Sequence, residues 1–580
     1  MFIKRIGIIK QYLIENNIDG YVIQLNDDHG SEYVPNRYKT IAFLTNFTGS
    51  NAILIITQKE SYLWTDGRYF IQAKQQLEAS NVKLMRIGID EDIISFIIDN
   101  MSSLAFDFKT TDTLFVANFM SRKPELKLID DGSIIDEIWL DRPKVSKKKV
   151  FLLPEDKFIL SAKEKCHRTI SNIKTKDKKY GVLVSALDDI AWILNARGKD
   201  VTYNPVFIAF MFLVKNENTE YYNLYIDSSK LTKEIKEKLI KENITIKPYN
   251  SIYKDIGLFT YKVYYDCDKT NYKLFSLMSH PRNKTLWPTI KKSIKTSVDI
   301  KETKKAHIKD AIAMCKFIYY VKNNAAKGRL SEISIAKHLE KLRKKQGAFD
   351  LSFSTIVGYK EHGAIVHYSA TKETNKTIQD DGLLLVDSGG QYYYGTTDIT
   401  RTIALKNITE EMKYHFTLVL KCHIDLAMAV FSKNTTGAEL DYIARKTLWD
   451  VNLDFNHGTG HGVGHMLNVH EGPQNINYKR VPSAIMKKGM ITSDEPGLYL
   501  ENKYGIRHEN ELLCIAIDKE HLGFEPLTYV PFDLDAIDVN LLDENERNYL
   551  NNYHKMVYNK IEKYLNKKEK EFLLNATREI

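Results

Sequence analysis

The sequence predicts a protein of mixed α/β and α+β class, with two similar N-terminal α/β domains and one larger C-terminal domain. The chain has 580 residues, enough for several domains, and a hydrophobic share of 43%, which is ordinary for globular proteins. Through its first half, segments of helical periodicity alternate with strand-like apolar runs, as in α/β domains. A segment rich in lysine, threonine and serine then precedes a long helical pattern. These changes predict domains at 1–140, 141–300 and 301–580.

The first predicted domain opens with an amphipathic helix at 2–17, where apolar residues recur at helical spacing between basic ones. This segment lacks the continuous apolar stretch and the small-residue cleavage site of a signal peptide. Predicted strands follow at 20–25, 51–56 and 61–64, and a helix begins near Arg68. A connector at 131–149 leads into the second domain.

The second predicted domain repeats this alternation. Its elements are a helix at 159–176, a strand at 180–187, a helix at 188–195, strands at 205–214 and 221–227, and a helix at 231–242. The segment IAFLTNFTGS at 41–50 resembles IAWILNARGK at 190–199, and strands follow both segments. This similarity favours an internal duplication. Beyond a boundary near 300, a helical stretch at 302–327 opens the largest domain.

Composition argues against several classes of protein. The 83 basic and 74 acidic residues are interleaved, so the net charge of +9 indicates a mixed surface and not a nucleic-acid-binding patch. The five cysteines are scattered, odd in number and without a C-x-x-C pair, which argues against a disulfide framework and for a reducing compartment. No apolar run reaches the roughly 20 residues that cross a membrane. The sequence therefore predicts a cytoplasmic protein that binds neither nucleic acid nor a membrane.

Four of the sixteen histidines are concentrated in one stretch, NHGTGHGVGHMLNVHEGP at 456–473. Three of them are spaced four apart, but each glycine between them costs a helix about 1 kcal/mol relative to alanine, which predicts a loop or an extended strand. Glycine also allows backbone to approach a metal or a ligand closely. A nonspecific histidine-rich loop would look the same, so the rest of the chain must decide between the two interpretations.

Two aspartates belong to a predicted hairpin in the segment GLLLVDSGGQYYYGTTDITRTI. The apolar run Leu383–Val386 predicts a buried strand, the Ser-Gly-Gly sequence predicts a turn, and a return strand is predicted from Gln391 onward. Asp387 ends the first strand and Asp398 lies on the second. Two converging carboxylates repel each other unless a cation lies between them, which favours a metal site. A turn aspartate beside a surface aspartate would give the same pattern.

A third group of candidates lies in ITSDEPGLYLENKYGIRHENELLCI. Glu495 precedes a Pro-Gly turn, and strand-like alternation places Arg507, Glu509 and Glu511 on one face. Buried carboxylates are costly unless they are paired or bound to metal. The predicted metal ligands are four carboxylates and one imidazole: Asp387, Asp398, His461, Glu495 and Glu509. This many anionic oxygen donors favours two divalent ions such as Mn²⁺ or Co²⁺ over a thiolate zinc site.

Five motifs occur in order through the C-terminal domain: HGAIVHY, LLLVDSGGQYYYGTTDITRT, HGTGHGVGHMLNVHEGP, SDEPG and YGIRHEN. Together with WTDGRYFIQA at 64–73, ALDDIAWILNARGKDVTYNPVF at 186–207 and the ending FLLNATREI, this series resembles the long, three-domain eukaryotic-type Xaa-Pro aminopeptidases of the pita-bread metallopeptidases. The resemblance covers nearly the whole chain. It implies that the two N-terminal domains are RNase H-like and that 301–580 is a pita-bread catalytic domain.

The resemblance implies a dinuclear metal site. Asp387 is expected to bind one metal ion, His461 and Glu495 to bind the other, and Asp398 and Glu509 to bridge both. The expected metal is Mn²⁺, with Co²⁺ or Zn²⁺ as alternatives. Two such ions activate a water held between them as the attacking hydroxide.

The resemblance also implies which residues act on the substrate. His367 and His470 are expected to be catalytic, to bind substrate beside the metals and to stabilise the transition state. Glu495 is expected to be catalytic as the residue that moves the proton of the attacking water. His457 is expected to line the pocket for the proline ring, and Arg507 to lie near the bridging glutamate as part of the substrate site.

The implied activity is hydrolysis of the bond between an N-terminal residue and a penultimate proline, by a homodimeric cytoplasmic enzyme acting on peptides. A prolidase, which uses the same chemistry on Xaa-Pro dipeptides, is the nearest alternative, although the length and the C-terminal ending favour the aminopeptidase. A non-catalytic pita-bread module that binds other proteins is an alternative of another class. Such modules lose the metal ligands, whereas all five are present here.

Overall fold

The computed structural model describes residues 1–480 and 482–580. These residues form two compact units, 1–289 and 290–580. In the part of the chain described, no helix is both long enough and apolar enough to cross a membrane. The five cysteines are all described and all buried, and none of them forms a disulfide, as their scattered spacing predicts.

A six-stranded sheet forms the first half of the N-terminal unit. Its strands are β1 (Gly20–Gln24), β2 (Ile53–Thr57), β3 (Ser61–Thr65), β4 (Lys83–Arg86), β5 (Ser103–Phe106) and β6 (Lys127–Asp130). The helices of this half are α1 (Phe2–Glu15), α2 (Thr40–Thr45), α3 (Phe70–Gln76), α4 (Ile93–Asn100), α5 (Thr113–Met120) and α6 (Ser133–Ile138). The strand order is β4-β3-β2-β1-β5-β6. The β1–β2 and β2–β3 pairs are antiparallel, and the other three pairs are parallel.

The second half of the N-terminal unit contains a similar six-stranded sheet and a separate pair of short strands, β7 and β9. Its strands are β7 (Phe151–Leu152), β8 (Lys179–Val184), β9 (Ala196–Arg197), β10 (Ala209–Asn216), β11 (Thr219–Ile226), β12 (Ile244–Lys247), β13 (Lys262–Tyr265) and β14 (His280–Asn283). Its helices are α7 (Ala162–Ser171), α8 (Leu187–Ile193), α9 (Lys233–Lys241), α10 (Ser251–Leu258) and α11 (Tyr272–Leu277). The order β12-β11-β10-β8-β13-β14 matches the first sheet strand for strand, with the same strand directions. The prediction of two similar α/β halves is confirmed.

Helix ends differ from the predicted bounds where side chains cap the backbone. The helix predicted at 159–176 begins only after Ser161, because Ser161 and Glu164 form a reciprocal capping box. In this motif the serine side chain and the glutamate side chain each bond the backbone N–H of the other residue, which fixes the first turn. Helical periodicity alone cannot locate this start, since the apolar spacing continues on both sides of it.

Asp28, a buried residue of the N-terminal unit, provides a test of pH-dependent stability. Burial, together with the charges of Asp27 and Asp107, raises its pKa to about 7, although Tyr249 Oη donates to its Oδ2 at 3.0 Å and lowers the pKa in part. Because the folded-state pKa lies above the unfolded value of about 3.9, the ionised carboxylate lowers stability progressively between about pH 4 and pH 7.

We therefore expect Asp28→Asn to stabilise the protein above pH 7 by roughly 2–4 kcal/mol, because the amide keeps an acceptor for Tyr249 without the buried charge. Urea unfolding of both proteins at pH 8 and at pH 4.5 measures this difference. The gain should be largest at pH 8 and shrink at pH 4.5. A variant that is no more stable than the wild type at pH 8 contradicts the expectation.

The C-terminal unit contains longer helices and several small sheets. Helix α12 (Trp287–Ser293) spans the boundary between the two units, and the helices after it are α13 (Ser297–Asn324), α14 (Glu332–Lys345), α15 (Glu410–Ala427), α16 (Gly437–Trp449), α17 (Glu544–Ile561) and α18 (Lys567–Ala576). Its first strands are β15 (Leu330–Ser331), β16 (Ala348–Leu351), β17 (Ile356–Tyr359), β18 (Thr377–Ile378), β19 (Leu383–Ser388), β20 (Gly390–Tyr392), β21 (Gly395–Thr396) and β22 (Ile399–Ala404). The remaining strands are β23 (Phe431–Ser432), β24 (Gly460–His461), β25 (Asn475–Ile476), β26 (Ile491–Asp494), β27 (Gly497–Leu500), β28 (Tyr504–Arg507), β29 (Asn510–Ala516) and β30 (His521–Pro526).

The predicted hairpin around Asp387 is wrong in one respect. Its first strand, β19, is completely buried as predicted, but its partner is β22, so that Asp387 lies opposite Thr400. The return strand does not begin at Gln391, because β20 and β21 leave the hairpin and form a separate sheet with β16. Asp398 consequently lies in the connection just before β22 and not on a strand.

The strand predicted through Arg507 and Glu509 is interrupted. β28 ends at Arg507 and pairs with β27, whereas β29 begins at Asn510 and pairs with β26 and β30. Glu509 therefore lies in a two-residue break between strands of different sheets. Its backbone N–H donates to Thr400 O at 3.1 Å, which fixes the break against β22.

Candidate metal centre

The carboxylates and imidazoles of the C-terminal unit converge in one cluster. Three groups of residues each offer ligand atoms within 4.8 Å of one another: Asp387, Asp398 and Glu509; His461, Glu495 and Glu509; and Asp398, His461 and His470. Because Asp398, His461 and Glu509 each occur in two groups, the three groups overlap. The structure thus brings all five sequence-predicted metal ligands together and places His470 beside them.

Backbone hydrogen bonds bring ligands from separate strands to this point. Glu495 follows β26, and its N–H donates to Thr459 O at 2.7 Å, next to the short strand that carries His461. Ser493 Oγ accepts from the His461 N–H at 3.0 Å and donates to Glu495 Oε1 at 3.1 Å. These contacts fix the imidazole and the glutamate relative to each other.

The His461 ring is oriented by a backbone carbonyl. Its Nδ1 lies 3.0 Å from Gly462 O, so this nitrogen carries the proton and directs Nε2 toward the carboxylates. Nε2 lies 3.4 Å from Asp398 Oδ2 and 3.4 Å from Glu495 Oε1. Burial lowers the pKa of His461, but the hydrogen bond and charge of Asp398 and the charge of Glu495 raise it to about 9.

Arg507 is the cation that balances part of this negative charge. The side chain is only 1% exposed, and its Nη2 donates to Asp387 Oδ2 at 2.6 Å. Its other donors bond Tyr499 Oη at 2.6 Å, Thr400 Oγ1 at 3.2 Å and Val366 O at 3.3 Å. The guanidinium therefore ties four chain segments to the edge of the cluster.

One guanidinium does not neutralise four carboxylates. Burial raises the pKa of Glu509 well above its ordinary value, and the charges of Asp398, Glu495 and Asp387 raise it further. Burial likewise raises the pKa of Glu495 to about 7, against the lowering effect of His461. The pKa of Asp387 is also raised, chiefly by burial. The four carboxylates are therefore stabilised either by protonation of some of them or by additional positive charge next to them.

Divalent cations fit the cluster. Asp387 Oδ1 is buried and has no hydrogen-bond partner of ordinary geometry among the described residues, although Oδ2 of the same carboxylate is bonded to Arg507. Metal ions relieve mutual repulsion among carboxylates and supply partners for buried oxygen atoms. Four carboxylates with imidazole suit hard or borderline divalent ions. The donor set therefore matches the metal site that the sequence predicts.

Two further residues fix the position of the bridging candidates. Glu511 Oε1 accepts from the backbone N–H of Asp398 at 2.8 Å, and its Oε2 lies 3.1 Å from His307 Nε2. Thr400 Oγ1 donates to Glu509 Oε2 at 2.8 Å. Partners of this kind orient metal ligands and are a regular part of metal sites.

The other predicted site residues lie around the same cluster. The His470 ring centroid is 4.2 Å from that of His461, with the rings nearly perpendicular. His457 Nε2 lies 2.8 Å from Tyr499 Oη. His367 is half-buried in a turn directly after Val366, whose carbonyl accepts from Arg507. Their roles toward substrate stay predictions.

Tyr499 is a site residue that sequence reasoning missed. Its hydroxyl lies between His457 Nε2 at 2.8 Å and Arg507 Nη1 at 2.6 Å, so it links the predicted proline pocket to the carboxylate cluster. In the sequence it is one aromatic residue in a strand-like run, where a packed core tyrosine is the ordinary expectation. Only the antiparallel pairing of β27 with β28 brings it next to Arg507.

His465, the remaining histidine of the glycine-rich stretch, contacts α13. Its Nδ1 lies 3.0 Å from Thr303 Oγ1 and its Nε2 lies 3.5 Å from Asp299 Oδ1. The four histidines of that stretch therefore differ in surroundings, because the chain there follows a loop with one short strand and not a helix. The prediction of a loop or extended strand is confirmed.

Sequence profiles of known families match consecutive parts of the chain. The profile of metallopeptidase family M24 matches residues 301–516, and a profile of the C-terminal region of peptidase M24 matches 520–580. Two profiles of the creatinase/prolidase N-terminal domain match 5–138 and 141–306. The two similar sheets thus lie in the regions of similar profiles.

Individual relatives are similar over nearly their whole length. The chain is 34% identical over 579 residues to Xaa-Pro aminopeptidase app-1 of Caenorhabditis elegans, covering 95% of this chain and 93% of that protein. It is 33% identical to Aminopeptidase P2 of Arabidopsis thaliana, covering 97% of this chain and 86% of that protein.

A solved structure is also similar to this chain over nearly its whole length. The crystal structure of X-prolyl aminopeptidase from Caenorhabditis elegans, described as a cytosolic enzyme with a di-nuclear active site, matches with a TM-score of 0.92 at 32% identity and covers 97% of this chain and 95% of that one. Similarity of this extent, in sequence and in fold, assigns the family. The chain belongs to the Xaa-Pro aminopeptidases of metallopeptidase family M24.

Proposed function

We propose that the protein is a metal-dependent aminopeptidase that hydrolyses the bond between an N-terminal residue and a penultimate proline. The observation that carries the proposal is the convergence of Asp387, Asp398, His461, Glu495 and Glu509 in one cluster. The similarity over 95% of the chain to an Xaa-Pro aminopeptidase supports the substrate class. A protein-binding module that had lost catalysis would have no reason to keep these costly buried carboxylates.

The cluster is proposed to hold two divalent cations, with Mn²⁺ expected and Co²⁺ or Zn²⁺ as alternatives. Asp387 would hold one ion, His461 and Glu495 the other, and Asp398 and Glu509 both. Asp398 and Glu509 each share one ligand group with Asp387 and another with His461, which supports this division. When bound, such cations lower the pKa of a water and polarise the scissile carbonyl.

The protein's own side chains would then handle the substrate and the protons. The proline nitrogen must receive a proton to leave as a neutral amine, because an amide anion is too poor a leaving group. Glu495 is proposed to take the proton of the attacking water and pass it to that nitrogen. His367 and His470 are proposed to bond the carbonyl oxygen as it becomes negative.

The preference for proline is proposed to come from a rigid pocket next to the cluster. The His457–Tyr499–Arg507 chain of hydrogen bonds holds the imidazole in one orientation without requiring the substrate to order it. Proline has a fixed φ angle, so it enters such a pocket with little further loss of conformational freedom.

The test is the hydrolysis of an Arg-Pro-Pro peptide and of an Arg-Pro dipeptide by the same preparation, with and without added Mn²⁺. We expect a kcat/KM at least about tenfold higher for the longer peptide, because each additional subsite contact contributes roughly 1–3 kcal/mol to transition-state binding. Activity should disappear after chelation with EDTA and return with Mn²⁺. An Arg-Ala-Pro peptide is the matched control for proline in the second position.

Two outcomes would contradict the proposal. Preferential cleavage of the dipeptide would identify a prolidase, which shares the metal chemistry. Full activity in thoroughly chelated protein would exclude the metal-dependent mechanism.

Assembly, location and domain bounds are proposed on the same basis. We expect a cytoplasmic homodimer, which light scattering of the purified protein can test. We also expect domains at 1–140, 141–300 and 301–580. The two repeated sheets before residue 289 support the first division.

A further inference from the structure

We propose that Lys292, Lys295 and Glu471 form a buried ion triad that positions the two imidazoles of His461 and His470 in the metal centre. The inference rests on the proposed function of that centre and adds three positioning residues to it. None of the three was a candidate from the sequence, where the two lysines belong to the lysine-rich segment at 289–311.

The triad is fully enclosed. Lys295 Nζ lies 2.8 Å from Glu471 Oε1, and Lys292 Nζ lies 3.3 Å from Oε2, with side-chain exposures of 1%, 2% and 0% for Lys295, Lys292 and Glu471. Lys295 Nζ also donates to Lys292 O at 3.2 Å, which ties the two lysines together. Burying charges is costly unless they are paired, so these contacts define one position for the glutamate.

A single backbone carbonyl connects the triad to His461. The N–H of Glu471 donates to Gly462 O at 2.7 Å. The same oxygen lies 3.0 Å from His461 Nδ1, the nitrogen that sets the direction of the ring. A displacement of Glu471 therefore moves the acceptor on which the orientation of His461 depends.

The connection to His470 is covalent. His470 immediately precedes Glu471, and its ring lies against that of His461 at a centroid distance of 4.2 Å. The triad thus holds the C-terminal side of the residue whose imidazole must stay beside the metal ligands. Fixing Glu471 restricts both imidazoles at once.

The glycines of the histidine-rich stretch fit this arrangement. A Cβ on Gly462 would lie 2.0 Å from Glu471 O, and a Cβ on Gly464 would lie 2.8 Å from Glu471 Oε2. Both distances are too short for any side chain. The backbone of the stretch therefore packs directly on Glu471, which transmits the position of the carboxylate to the ligand loop.

The experiment compares three single variants of the full-length enzyme. Lys295→Met removes the shorter ion pair, and Lys295→Arg preserves its charge. Lys421→Met is the matched control, because Lys421 also makes a short ion pair, of 2.6 Å, with the buried Glu546 in the same unit. Each protein is stripped of metal and titrated with MnCl₂ by calorimetry, and kcat and KM are then measured on the Arg-Pro-Pro peptide.

We expect Lys295→Met to bind Mn²⁺ about 10- to 100-fold more weakly, as happens when groups that orient metal ligands are removed. Its kcat should fall by a larger factor than its KM changes. Lys295→Arg should keep most of the Mn²⁺ affinity and most of the kcat of the wild type. Lys421→Met should keep the wild-type Mn²⁺ affinity and kcat below its unfolding temperature. Wild-type Mn²⁺ affinity and kcat in folded Lys295→Met would overturn the inference.

A second variant covers the case in which Lys295→Met fails to fold. This triple variant combines Lys292→Met, Lys295→Met and Glu471→Gln. It removes all three charges, so no uncompensated buried charge remains. We expect this protein to fold and to bind Mn²⁺ weakly; wild-type affinity in it would overturn the inference. A wild-type protein that binds none of Mn²⁺, Co²⁺ and Zn²⁺ would instead overturn the proposed function and, with it, this inference.

Discussion

Asp398→Asn is expected to lower the turnover of an Xaa-Pro peptide by at least about 10³-fold, because a metal centre supplies several kcal/mol of transition-state stabilisation and each 1.4 kcal/mol is a factor of ten. Asp398 belongs to two of the three overlapping ligand groups and lies 3.4 Å from His461 Nε2. An amide at this position keeps one oxygen but loses the negative charge that two cations require.

The backbone contact of Asp398 should be unaffected by the substitution, so a loss of turnover can be assigned to the changed side chain. The backbone N–H of Asp398 is bonded to Glu511, and this contact does not involve the side chain that is changed. The fold should therefore persist, which thermal unfolding can verify, while calorimetry should show weakened Mn²⁺ binding. Asp518→Asn is the control, since that aspartate lies on an exposed turn with 57% of its side chain accessible. Turnover of Asp398→Asn within tenfold of the control would exclude the bridging role.

Three of the five ligand candidates could be found from the sequence because each has a distinct local signal. Asp387 ends a run of apolar residues, Glu495 precedes a Pro-Gly turn, and His461 stands among glycines. A carboxylate or imidazole in such a place is either costly or functional, which is a statement about chemistry and needs no tertiary structure. The residues alone left alternatives open, and the order of the five motifs identified the family.

What the sequence could not supply depends on contacts between distant segments. The predicted return strand after Asp387 begins at a residue too early in the chain. The segment that contains β20 and β21 pairs instead with β16, a strand from another part of the chain. Tyr499 gains its place from the pairing of β27 with β28. Glu471 gains its partners from Lys292, within α12, and Lys295, between α12 and α13. Hydrophobic periodicity reports which face is buried, not which polar group it meets.

Glu495→Ala is expected to reduce turnover by at least about 10³-fold, since it removes a proposed metal ligand together with the group proposed to move the proton. The Glu495 side chain is 18% exposed, so the substrate can approach it, whereas Glu509 is almost completely buried at 1%. Its Oε1 is held by Ser493 at 3.1 Å, which fixes the carboxylate next to His461.

Glu495→Gln separates the two contributions of this residue. Glutamine keeps an oxygen donor at the same distance along the side chain, so Mn²⁺ affinity should fall by less than in Glu495→Ala. It cannot accept the proton, and general base catalysis of this kind is worth about 10²- to 10⁴-fold. Turnover of the glutamine variant should therefore stay near that of the alanine variant while its metal affinity stays nearer the wild type. If turnover instead follows metal affinity in both variants, Glu495 is a ligand only, and the proton must travel through another group of the cluster.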